Sequence, residues 1–98
     1  MFDLFLTEES ERNLAALEAN KSLAKPLKAV KKALRLLAEN PRHPGLNTHQ
    51  FHGRTCPHDD KVWEAYAENH TPGAWRIFFC YGEPGRRTLW ILSVEPHP

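Results

Sequence analysis

Phe2, Leu4 and Leu6 alternate with Asp3 and Phe5 at the start of the chain. A period of two predicts a short strand. Thr7 follows, then Glu8 and Glu9. A side-chain oxygen for the first free N–H groups and acidic residues near the positive end of the dipole predict a helix start there. Leu14 and Leu17 give this helix one apolar side. Leu23, Leu27, Val30, Leu34 and Leu37 then recur at intervals of three and four, an apolar stripe along one face of a second helix. With Ser22 as its N-cap, Pro26 falls in or just beyond the first turn, where a missing N–H matters least. Asn40-Pro41, then Pro44-Gly45, end it.

From Leu46 onward the pattern changes to strands. Residues 47–52 read as a short strand and 54–60 as a loop. Residues 62–68 read as a strand with Trp63, Ala65 and Ala67 on one side and Val62, Glu64, Tyr66 and Glu68 on the other. Residues 69–73 are a turn. The run WRIFFCY at 75–81 is apolar except for Arg76, as expected of a central strand covered on both faces. Residues 82–85 turn the chain, and 88–95 return as its hairpin partner. The expected architecture is α+β: an N-terminal strand and a two-helix hairpin packed on a mainly antiparallel four- to five-stranded sheet, in one domain spanning 1–98.

Composition narrows this picture. Hydrophobic residues make up 41% and charged residues 26% of the 98 residues, at a net charge of +1. That mixture excludes disorder, and the near-neutral balance argues against a protein that coats nucleic acid indiscriminately. The average hides an asymmetry. Residues 1–20 sum to −4, residues 21–45 to +6 and the remainder to −1. The cations Lys21, Lys25, Lys28, Lys31, Lys32, Arg35 and Arg42 make one segment basic enough to meet a polyanion or an acidic partner, although such a face is commonly just solvated. The chain has no apolar run near 18 residues, so no membrane span is expected. The acidic N-terminus does not read as a signal peptide, so the expected compartment is the cytoplasm. There Cys56 and Cys80 would be free thiols.

Three groups of residues can carry chemistry. Arg76 interrupts the most apolar strand, so it meets either an anionic ligand or a structural partner such as Glu64 or Glu68. A guanidinium matches phosphate with two parallel donors. His49, His52, Cys56 and His58 fall within ten residues. Their spacing fits none of the common closed zinc sites. They read as solvated loop residues or as acid–base and phosphate contacts; no metal or cofactor is expected. His97, between Pro96 and Pro98, is either a general acid held beside the sheet or part of a frayed terminus. Arg54, Tyr66, Lys28, Lys32 and Arg35 are further candidate substrate contacts.

The order of these elements resembles the RelE/ParE toxin superfamily of bacterial toxin–antitoxin systems. The resemblance runs from FDLFLTEESERNLAAL through LRLLAENPRHPGLNTHQFHG to VWEAYAENHTPGAWRIFFCYG and TLWILSVEPHP. It implies a microbial-ribonuclease-like fold and an antitoxin partner that wraps the toxin. RelE-like members cleave mRNA on the ribosome; ParE-like members inhibit DNA gyrase; a degenerate, non-catalytic binding protein is a third possibility within the fold. By resemblance to the cleaving branch, Arg76 would stabilise the scissile phosphate and His97 would be the general acid. His49 and His52 lie on the strand that supplies a base or phosphate ligands. The RNA 2′-hydroxyl would be the nucleophile, so the chemistry would need no metal.

Overall fold

The N-terminal alternation forms β1 (Asp3–Leu6) in a computed structural model that describes residues 1–69 and 72–97. Helix α1 (Glu8–Ala19) starts at Thr7, whose hydroxyl accepts from the Ser10 N–H, as expected. The second helix starts differently from the expectation. Asn20, not Ser22, provides the cap, and it caps a single 3₁₀ turn (Lys21–Leu23). Helix α2 (Ala24–Glu39) then begins with no side-chain cap. The 3₁₀ turn delivers the chain into helical geometry, and Pro26 sits in the first turn of α2.

A second 3₁₀ turn (Pro44–Leu46) ends at Asn47, which adopts a left-handed backbone with φ 48°. That conformation cannot belong to a strand. Strand β2 is therefore shortened to His49–Phe51, and His52 lies beyond it. Strand β3 covers Val62–Tyr66, two residues shorter than its alternation suggests. Strand β4 spans Trp75–Tyr81 as expected, and β5 extends one residue further than expected, covering Thr88–Pro96. Two residues of the 69–73 turn, His70 and Thr71, lie outside the described residues, as does Pro98. At the β4–β5 turn, a Cβ on Gly82 would overlap the Thr88 side chain, so any larger residue there would force that side chain to move.

The sheet order is β1-β5-β4-β3-β2. All pairings are antiparallel except β1 with β5, which run parallel. Both helices cover one face. Leu17, Val30, Ala33 and Leu37 pack there on Ala65, Ile77, Phe79, Leu89, Ile91 and Val94. The apolar stripe of α2 is thus its buried face.

The other face is covered by the 52–61 loop instead of a helix. That loop is fixed by a bond the sequence reading did not anticipate. Cys56 and Cys80 are joined as a disulfide, not left as free thiols. A separation of 24 residues in sequence says nothing about proximity. The register does: Cys80 is opposite Trp90, on the face that the loop crosses.

Candidate active site on the loop-covered face of the sheet

A bulge decides which residues reach this face. The register between β4 and β5 shifts between Phe78 and Phe79: Phe79 pairs with Ile91, but Phe78 pairs with Ser93. Leu92 is the extra residue. Strict alternation would place Ser93 and Glu95 with the core residues Leu89 and Ile91. The bulge reverses the alternation, sending Val94 into the core and Ser93 and Glu95 to the opposite face.

Glu64, Tyr66, Arg76 and Glu95 are cross-strand neighbours there. They help line a cavity of about 340 Å³, which Phe51, Arg54, Phe78 and His97 also border. Arg76 resolves its two sequence readings together. Its Nη1 donates to Glu64 Oε2 at 3.0 Å, and its guanidinium lies 3.8 Å from the Tyr66 ring centroid. Its side chain keeps 15% exposure into the cavity. Glu68, the other candidate partner, instead accepts from the Trp75 N–H. The Arg76 Nε–H is buried and has no partner among the described residues, so one charged donor remains uncommitted.

Glu64 is also held from the other side. His49 Nε2 lies 2.8 Å from Glu64 Oε1, and His49 Nδ1 lies 3.0 Å from the Asn47 carbonyl oxygen. Two acceptors face the two ring nitrogens, so the contact with Glu64 needs a proton on Nε2 or on the carboxyl. The ring edge of His49 also meets the Tyr66 ring.

Arg54 reaches across from the loop. Its Nη1 donates to Ser93 Oγ at 2.8 Å and its Nη2 to Glu95 Oε1 at 2.7 Å. Its guanidinium stacks on Phe78, 4.0 Å from the ring centroid. Burial raises the Glu95 carboxyl, but hydrogen bonds from Arg54 and Ser93 and the Arg54 charge outweigh it, and the group is held below its ordinary value.

His49, Arg54, Tyr66, Arg76 and His97 therefore gather around one cavity or its wall. His52 does not join them; it is exposed just past β2. Lys28 and Arg35 sit with Lys31 along a shallow groove on α2, in the helix layer on the other side of the sheet. Lys32 lines that groove and also a cleft at the sheet end that Tyr66 borders. Sequence reasoning missed Glu95 and the aromatic floor of Phe51 and Phe78, and saw Glu64 only as a partner for Arg76. Alternation already put Glu64 beside Tyr66; for Glu95 it pointed the wrong way.

No protein-family model matches the sequence, and no match is found among curated proteins. Solved structures give a clear result: the chain has the α+β fold of RelE-like toxins. It superposes on the YoeB dimer structure from Staphylococcus aureus with a TM-score of 0.69, at 9% identity, over 99% of this chain and 98% of that one. A copper-bound mutant toxin from Helicobacter pylori matches with a TM-score of 0.61, at 18% identity, over 99% of this chain and 96% of that one.

Proposed function

We propose that the chain is the toxin of a toxin–antitoxin pair and acts by cleaving mRNA on the ribosome. The observation that carries this reading is the arrangement of Arg76, Glu64 and His97 around one aromatic-floored cavity. Two toxins sharing the fold along the whole chain support it.

In this reading a scissile phosphate enters beside Arg76, and the part of the side chain open to the cavity meets its charge. The RNA 2′-hydroxyl attacks phosphorus and the bond to the 5′-oxygen breaks. Glu64, hydrogen-bonded to His49, takes the 2′-hydroxyl proton, and His97 returns a proton to the leaving oxygen. Tyr66 and Phe51, both half-buried at the cavity, offer rings on which bases stack. Cleavage proceeds through the 2′-hydroxyl without a nucleophile from the protein. In this reading an antitoxin holds the toxin inactive.

The test is primer extension on mRNA from ribosomes programmed in the presence of the purified chain. The expected result is discrete cuts within coding sequence, falling about 10²–10³-fold in rate for a folded Arg76→Gln variant. Intact mRNA at all concentrations would overturn the reading.

A second reading, a non-catalytic binding protein of this fold, is favoured by one observation. Both guanidinium groups at the cavity are already paired with carboxylates, Arg54 with Glu95 and Arg76 with Glu64. Intact mRNA together with tight antitoxin binding supports that alternative. Growth arrest with broken DNA and intact mRNA points to a gyrase target instead.

A further inference from the structure

The loop-covered face contains a covalent link that RNA cleavage does not use. Cys80 is fully buried on β4, on the same face as Arg76 and Phe78. Cys56, half-buried, is bonded to it from a loop whose only regular pairing among the described residues is a single bridge between Cys56 and Asp59. The loop's other ties to the sheet are non-covalent and run through two side chains, Arg54 and His58. Arg54 makes an ion pair that is about one-third exposed on both partners, and exposed His58 stacks on Trp90 with ring centroids 4.7 Å apart. Contacts of that kind are screened by solvent and hold a loop poorly by themselves. The disulfide is the one covalent tie, and it stands beside the Arg54 hydrogen bond to buried Ser93 and the Arg54 stacking on Phe78.

We propose that the Cys56–Cys80 disulfide is a thiol-exchange site that controls the cavity, and that its reduction by a dithiol frees the 52–61 loop and carries Arg54 away from the cavity wall. Exposure sets the direction of attack. A thiolate of the reductant reaches Cys56 Sγ and forms a mixed disulfide, while the bond to Cys80 breaks and Cys80 leaves as a thiolate that takes up a proton. The second thiol of the reductant then attacks its own sulfur in the mixed disulfide. Cys56 leaves as a thiolate, facing the His58 N–H that already points at its sulfur from 3.3 Å, and is protonated. The protein gains two electrons and two protons, and the reductant becomes a cyclic disulfide.

The consequence for RNA rests on the cleavage reading. With the loop attached, Arg54 neutralises Glu95 and covers Phe78. Once it detaches, the cavity loses a cation and keeps the Glu95 carboxylate. A polyanion then meets a less favourable field, so the oxidised chain is the form that binds RNA and the reduced chain binds it more weakly.

The test compares the full chain, oxidised and then treated with dithiothreitol, by hydrogen–deuterium exchange. On reduction, amides in 52–61 should exchange at least about tenfold faster while those of α1 and α2 stay unchanged. Unchanged exchange in 52–61, or two free thiols persisting after treatment with a mild thiol oxidant, overturns the proposal. A Cys56→Ser variant should match the reduced chain without reductant. Should that variant fail to fold, the wild-type comparison decides alone. A short RNA with 2′-deoxy substitution throughout, which cannot be cut, serves as the binding probe. Its affinity should fall at least about threefold on reduction; equal or tighter binding overturns the control of the cavity. If the RNA binds neither form, the RNA reading fails, while the exchange data still decide whether the disulfide holds the loop.

Discussion

Arg76 is tolerated within an apolar strand because each part of its side chain meets a suitable neighbour. Glu64 takes one end of the fork, the Tyr66 ring takes the flat face, and the cavity leaves a route to solvent. Its meaning was half legible in the sequence. A charge in WRIFFCY had to be paired or functional, and Glu64 was a named partner, but that the pair also borders a cavity depends on long-range register. Glu95 was not legible, and it carries a measurable signature. Its carboxyl is held below the ordinary value, chiefly by Arg54 and Ser93 working against burial. A carboxyl with a lowered folded value adds stability that is fully present above its unfolded value, 4.5, and is lost as pH falls below it. Urea midpoints followed from about pH 7 to about pH 3 should therefore drop more steeply for the wild type than for Glu95→Gln. Superimposable profiles would show that the Arg54–Glu95 contact does not persist in solution.

At the scale of elements, helices and strands followed from period and caps, whereas the bulge and the disulfide did not. A bulge inserts one residue without changing the apolar pattern around it, so TLWILSVEP reads as a regular strand. What makes the bulge possible lies elsewhere in the chain. The Thr7 hydroxyl, which caps α1, also contacts the carbonyl oxygens of Ile91 and Leu92 at 3.1 and 2.9 Å. Asn13 on α1 accepts from the Val94 N–H at 3.0 Å. Helix α1 thus supplies the partners that the interrupted ladder leaves without a strand neighbour. Thr7→Val keeps the shape but removes both the cap and the contact to the bulge. It should lower stability by about 1–2 kcal/mol in thermal or urea unfolding. It should also speed amide exchange at residues 92–94 more than in α2. A loss confined to α1 would mean that the bulge is held without Thr7.

Across the whole molecule, the charge asymmetry seen in the sequence becomes a spatial separation. The +6 segment is largely the outer surface of α2, where Lys28, Lys31, Lys32 and Arg35 border a groove floored by Ala24 and Leu27. The Arg76 cavity opens on the opposite side of the sheet. A net charge of +1 therefore describes neither surface, and the two can serve different partners. A short RNA held only at the cavity neutralises one or two phosphates. Its log affinity should fall against log salt with a slope of roughly 0.7–1.4, since single strands lose about 0.7 per neutralised phosphate. Reversing two groove cations that do not line the Tyr66 cleft, with Lys28→Glu and Arg35→Glu, should leave a trinucleotide's affinity within about twofold and its slope unchanged. The same double variant should weaken an acidic antitoxin segment, and most at low salt, because exposed charges are screened over about 10 Å at 0.1 M ionic strength. If the trinucleotide instead loses affinity and slope in the variant, RNA runs from the cavity past Tyr66 and Lys32 onto α2. The basic helix then belongs to the substrate track and not to a separate docking face.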